Sequence, residues 1–173
     1  MKSSSLNFLL LIIVVGSLVS LTVGGKSAKP YFSVTIRAPQ TVKVGSAAIL
    51  NIAVANTSST TTPFSSGYGE DHGEFGCDFS VLTAEGKPAP ETRYMKAVKG
   101  KDQGPGPQLV ISTRSLSTRL APGESMKFRA DLNKLFDLEP GKYTVQLSRF
   151  ESAWEGRPEA VVKSNTITIT VTP

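Results

Sequence analysis

From residue 32 onward, apolar and polar residues alternate with a period of two, the signature of strands buried on one face. Phe32, Val34 and Ile36 alternate with Ser33, Thr35 and Arg37, and Pro39 stops the run. Leu50, Ile52 and Val54 alternate with Asn51, Ala53 and Ala55 up to Asn56. Cys77, Phe79 and Val81 set a third strand, and Met126, Phe128 and Ala130 face inward on another while Lys127, Arg129 and Asp131 face out. Tyr143, Val145 and Leu147 oppose Thr144, Gln146 and Ser148, and Ile167, Ile169 and Val171 oppose Thr166, Thr168 and Thr170. Shorter strands are predicted at Leu109–Ile111 and Leu116–Leu120, an extra one over Thr92–Val98, and one helical turn or an irregular crossing over Asp131–Leu138.

Turn chemistry divides these runs. Val44-Gly45-Ser46 and Ala84-Glu85-Gly86-Lys87 turn on Gly, which tolerates positive φ, and Ala121-Pro122-Gly123-Glu124 and Glu139-Pro140-Gly141-Lys142 add Pro, which presets φ. Tyr143 directly follows the last of these, after Leu138, and has the form of the tyrosine corner of immunoglobulin-like sandwiches, whose phenol OH reaches back to upstream backbone. Seven to eight short antiparallel strands without an amphipathic helix predict an all-β, immunoglobulin-like β-sandwich. A closed barrel is the alternative that strand counting leaves open. With one cysteine, the disulfide-bearing antibody-type domain is excluded.

The first 25 residues stand apart. Met1-Lys2-Ser3-Ser4-Ser5, an apolar run from Leu6 to Val15 and the small-residue end Val23-Gly24-Gly25 predict a secretory signal peptide cut after Gly25. An uncleaved membrane anchor over Leu6–Gly25 is the alternative. Either way the rest of the chain is expected to be exported, periplasmic or extracellular, and to touch a membrane only through that segment. Residues 26–173 are then a single domain, long enough to bury a self-sufficient core without disulfides. Cys77, in parity with Phe79 and Val81, is expected to be a buried thiol.

Charge excludes more than it suggests. The whole chain carries a net charge of +5, and Lys2 is the one charge in residues 1–25. The densest basic stretch, Arg93 with Lys96, Lys99 and Lys101, reads as a solvated loop. Nucleic-acid binding would need clustered cations on one face with stacking aromatics, so no nucleic-acid partner is expected.

The densest functional group of residues lies in the long polar connection 57–75: Tyr68-Gly-Glu-Asp-His-Gly-Glu-Phe-Gly-Cys-Asp78. One His and one Cys do not make a zinc set, and the carboxylate order does not fit a calcium loop. No metal and no cofactor is expected, although Asp71, His72 and Glu74 define the place where metal-dependent activity would sit. His72 has no nucleophile motif near it, and Gly67-Tyr-Gly and Gly104-Pro-Gly lack the Lys-Ser/Thr of a phosphate-cradling loop, so no enzyme activity is expected. In a sandwich, the loops 57–75 and 151–160 would leave at the same end and bring Tyr68, His72 and Phe75 near Trp154. Aromatics on adjacent loops suit a recognition tip for a protein or other extracellular partner. The alternative is a lid, with Phe64, Phe75 and Trp154 folded back over the core. Asn56-Thr57-Ser58 is a glycosylation sequon at a strand end.

Phe79-Ser-Val-Leu-Thr-Ala-Glu-Gly-Lys87, Leu120-Ala-Pro-Gly-Glu-Ser125 and Glu139-Pro-Gly-Lys-Tyr-Thr144 resemble the BsuPI family, small immunoglobulin-like β domains named for a Bacillus intracellular proteinase inhibitor. The resemblance covers about Ile49 to Phe150 and rests on turn chemistry. Pro88-Ala-Pro90 stands where that family often carries a Trp after its Gly turn. The resemblance implies the sandwich fold and, as an alternative function, proteinase inhibition, and it assigns no inhibitory residue.

Overall fold

The computed structural model describes residues 29–66, 74–107, 109, 116–151 and 159–173. The N-terminal 1–25 segment, Tyr68, His72, Trp154 and most of the Leu109–Ile111 strand lie outside these residues. The fold is all-β. Ten strands follow in chain order: β1 (Phe32–Arg37), β2 (Thr41–Lys43), β3 (Ile49–Asn56), β4 (Thr62–Ser66), β5 (Asp78–Thr83), β6 (Leu116–Leu120), β7 (Ser125–Asp131), β8 (Gly141–Glu151), β9 (Ala160–Lys163) and β10 (Ile167–Thr172). Two short helices, α1 (Arg93–Val98) and α2 (Leu132–Leu135), interrupt them.

The strands form a sheet ordered β1-β3-β7, a second ordered β2-β10-β8-β5 with β9 also on β8, and a two-stranded ribbon β4-β6. The inward faces match the sequence parity. Phe32, Val34 and Ile36, then Leu50, Ile52 and Val54, then Phe79 and Val81, then Tyr143, Val145 and Leu147 are all buried in one core cluster. Cys77 joins them as a free, buried thiol.

The Tyr143 part of the turn before β8 is as the sequence predicts, but Gly141 is extended as the first residue of β8 and does not take the positive φ expected of it. The Tyr143 hydroxyl donates to the Glu139 carbonyl and accepts from the Glu139 N–H, both at 3.0 Å. Tyr143→Phe is therefore expected to cost about 0.5–1.5 kcal/mol in chemical denaturation, and an unchanged midpoint would show that the corner contributes nothing.

Four elements depart from what the sequence predicts. The described residues already form ten strands where seven or eight are expected, because the three-residue β2 and four-residue β9 carry too little pattern to register. Pairing is not wholly antiparallel, since β2 runs parallel to β10. Thr92–Val98 is a helix from Arg93, not a strand: the Thr92 side chain caps the Met95 N–H at 3.2 Å, and Met95 and Val98, three apart, are its buried residues. Within the long connection, Thr62–Ser66 forms β4, with Thr62, Phe64 and Ser66 buried and Pro63 and Ser65 exposed.

The ribbon continues the β3–β7 pair around a corner pinned by Asn56. The Asn56 amide, 1% exposed, donates at 2.8 Å to both the Thr60 and Leu120 carbonyls and accepts from the Ser58 N–H and hydroxyl. Both hydrogens of the nitrogen that would carry a glycan are thus committed inside the fold. The sequon is structural.

Candidate functional site

The end of the sandwich toward which β8 runs carries the unusual chemistry. Tyr143, Val145 and Leu147 fill the inward positions of β8, and the same parity then places Arg149 and Glu151 inward too, at 6% and 5% exposure. Charged residues are almost never this buried unless they are paired or hydrogen-bonded.

Arg149 is held by backbone oxygen and by aromatic faces. Its Nη2 donates to the Ser65 carbonyl of β4 at 2.6 Å, and its Nη1 donates to the Phe75 carbonyl at 3.4 Å. The guanidinium carbon lies 4.6 Å from the Phe64 ring centroid and 5.8 Å from that of Phe32. Nε is buried, and among the described residues nothing accepts its hydrogen. The short turn Glu74–Gly76 supplies the second carbonyl by placing Phe75 at φ 60°, a left-handed conformation uncommon for a bulky residue. Gly76, also at positive φ, leaves room for the guanidinium, because a Cβ there would come within 3.0 Å of Nη1.

Glu151 performs a different task. Its two carboxylate oxygens accept the N–H groups of Tyr31 and Phe32, at 2.9 and 3.0 Å, and so tie down the start of β1. Burial raises the Glu151 carboxyl above its ordinary 4.5, against the lowering effect of those two N–H groups and of Arg149. A carboxyl raised by folding contributes stability that is fully present below about pH 4.5 and is lost as the pH climbs through the elevated value. Thermal melts across that interval are expected to show wild type losing stability with rising pH relative to Glu151→Gln, whereas parallel curves would show no linkage. Burial likewise pushes the Cys77 thiol up, with Arg149 pulling the other way. Cys77 therefore sits as a thiol, a poor nucleophile.

Of the four residues expected to form the recognition tip, Phe75 alone is described. It is half-buried, and its ring stacks on Phe128 at 5.2 Å, with Phe128 also stacked on the fully buried Phe64 at 5.9 Å. For Phe64 and Phe75 the arrangement is that of a lid. Arg149 and Glu151 are not among the residues that the sequence pattern nominates, and their parity with Leu147 is the one signal that could have found them. Arg149 shows that the chain leading into 67–73 and the chain leading into 152–158 do meet at one end of the sandwich.

Two of the four cations in the basic stretch are paired with acids. Arg93 bonds Asp102 at 3.0 Å and the Pro107 carbonyl, Lys99 bonds Glu91 at 2.5 Å, and the Lys134 ammonium lies over Tyr94. Among the described residues, no three His, Cys, Asp or Glu side chains are placed to share a metal ion. No family model and no curated protein matches the chain.

Proposed function

We propose that the protein is an exported, non-enzymatic, immunoglobulin-like β-sandwich that binds a protein or other extracellular partner through its segments 57–75 and 151–160. The observation that carries this reading is Arg149, which emerges from β8 two residues before Glu151 and clasps the backbone of Ser65 and Phe75. The roots of both segments are thereby fixed to one another by buried, charge-assisted hydrogen bonds. Rigid roots under chemically varied loops are the usual arrangement for recognition on a sandwich. The leader-like pattern of residues 1–25 supports export.

The test replaces residues 67–73 by a Gly-Ser linker together with Trp154→Ala, leaving Ser65, Phe75 and Arg149 in place. Affinity capture from the extracytoplasmic fraction of the source is expected to lose its partner while the melting temperature stays within a few degrees. Unchanged capture would sink the reading. The alternative, a BsuPI-like proteinase inhibitor, rests on the resemblance of the turns at residues 79–87, 120–125 and 139–144. It predicts inhibition of secreted serine or metalloproteinases at micromolar protein, and a panel showing none removes it.

A further inference from the structure

The sheet β1-β3-β7 has two edges, and the molecule treats them differently. Even-numbered residues of β1 turn their backbone groups away from β3, as the Thr57 N–H bond to the Tyr31 carbonyl and the register Val34↔Val54 require. At both ends of the strand, side chains take up such groups. Glu151 takes the Phe32 N–H at 3.0 Å, and the Asn165 amide takes both the N–H and the carbonyl of Ile36, at 2.8 and 3.1 Å. The β1 edge is thus closed at both of its ends.

The β7 edge is not. Bonds from the Asn56 N–H to Glu124 and from the Leu132 N–H to Ala48 bracket the β3–β7 register, so Met126, Phe128 and Ala130 exchange hydrogen bonds with β3. Ser125, Lys127 and Arg129 turn their N–H and carbonyl groups outward, and among the described residues nothing accepts or donates there. All three side chains are exposed on the solvent face. Across that face the register sets Lys127 beside Ala53 and Thr35, and Arg129 beside Asn51 and Arg37. These rows contain three cations, no acid and, at Ala53, a side chain too small to obstruct an approaching strand. Arg37, Lys127 and Arg129 make no ion pair among the described residues. The acids at the two ends of β7 are committed to backbone, Asp131 to the Ala48 and Asn133 N–H groups and Glu124 to that of Ala121.

We propose that the outer edge of β7 is a strand-addition site for an extended partner segment with acidic side chains at alternate positions. An incoming strand completes the outward backbone groups of residues 125, 127 and 129, which supplies affinity independent of sequence. Side chains directly opposite on one face of the new pair approach within about 4.5–5.5 Å at Cβ, close enough for acids to meet Lys127 and Arg129. The same cations disfavour pairing with a second copy, since a two-fold β7–β7 contact would set them against one another. The proposal uses the outward backbone groups of β7 and the Lys127 and Arg129 side chains, none of which the loop reading uses, so either can fail alone.

The experiment titrates purified full-length protein with fluorescein-labelled ten-residue peptides of alternating Asp and Val, and with a Lys-Val counterpart, using anisotropy and backbone amide NMR. The acidic peptide is expected to bind saturably, to weaken with salt and to shift the amides of 125, 127 and 129. Lys127→Glu with Arg129→Glu is expected to weaken it at least tenfold. Lys127→Pro removes one outward N–H without breaking a bond to β3 and is expected to abolish binding. Binding of neither peptide up to millimolar concentration would mean the cations merely guard the edge, and equal binding of both would mean they select nothing. Either outcome overturns the proposal, as does a dimer that Lys127→Pro dissociates.

Discussion

Arg149→Ala is expected to destabilise the protein by about 3–5 kcal/mol, among the largest effects of any single substitution. The side chain donates to two carbonyls, Ser65 and Phe75, that are joined to it across 84 and 74 residues of sequence, and lies against the Phe64 ring. Hydrogen bonds from a charged donor each contribute about 1.5–3 kcal/mol, and their loss leaves acceptors without their donor. Truncation also opens a space lined by Phe32, Phe64 and Cys77, and it removes the cation that favours ionised Glu151. Two comparisons separate these causes. Arg149→Lys retains charge but cannot reproduce the planar fork and should recover only part of the loss, while Arg149→Met retains most of the volume and none of the bonds. Urea denaturation reads all three. A loss below about 1 kcal/mol for the alanine variant would mean that solvent already competes for those carbonyls.

Phe64→Ala should cost a similar amount, about 3–5 kcal/mol, through a different mechanism. Phe64 is the one large apolar residue of β4, is 1% exposed, and contacts Phe128 in a stack and Phe32 edge-on at 5.7 Å. It fastens the β4–β6 ribbon over the end of the core. Hydrogen exchange should therefore show the amides of Thr62–Ser66 losing protection before those of β3 and β8, and Phe64→Leu should recover most of the stability. Uniform loss of protection across all strands would show that the ribbon does not open as a unit.

The contrast between these residues marks what is legible in the sequence. Strands with three successive apolar positions, such as β1, β3 and the first half of β8, announce both their existence and their inward face. The Glu139–Tyr143 corner is equally plain, because a Pro-Gly turn followed by Tyr is local chemistry with one good solution. β4 is hidden because Thr and Ser fill its other inward positions and look like loop residues until β6 supplies their ladder. α1 is hidden because six residues hold too few apolar positions to fix a period, and the Thr92 cap decides the matter only once its geometry is fixed.

At the candidate site the difficulty is of another kind. Arg149 and Glu151 lie in parity with Leu147, yet charge argues for solvent as strongly as parity argues for the core. What tips the balance toward burial is tertiary: carbonyls of Ser65 and Phe75 for one, N–H groups of Tyr31 and Phe32 for the other. Likewise the Asn56 sequon has the form of a surface feature until the Thr60 and Leu120 carbonyls are seen to consume its amide.

The clasps on β1 also set an order of events for a growing chain. Tyr31 must wait for Glu151, 120 residues later, and Ile36 for Asn165, 129 residues later. The earliest strand made is thus among the last to be completed, and its closure carries the entropy cost of long loops. Until the C-terminal end of the protein is present, β1 can have β3 on one side only. A polypeptide threaded across a membrane with its N-terminus leading would by this device stay unfinished, and extensible, until almost all of it had passed.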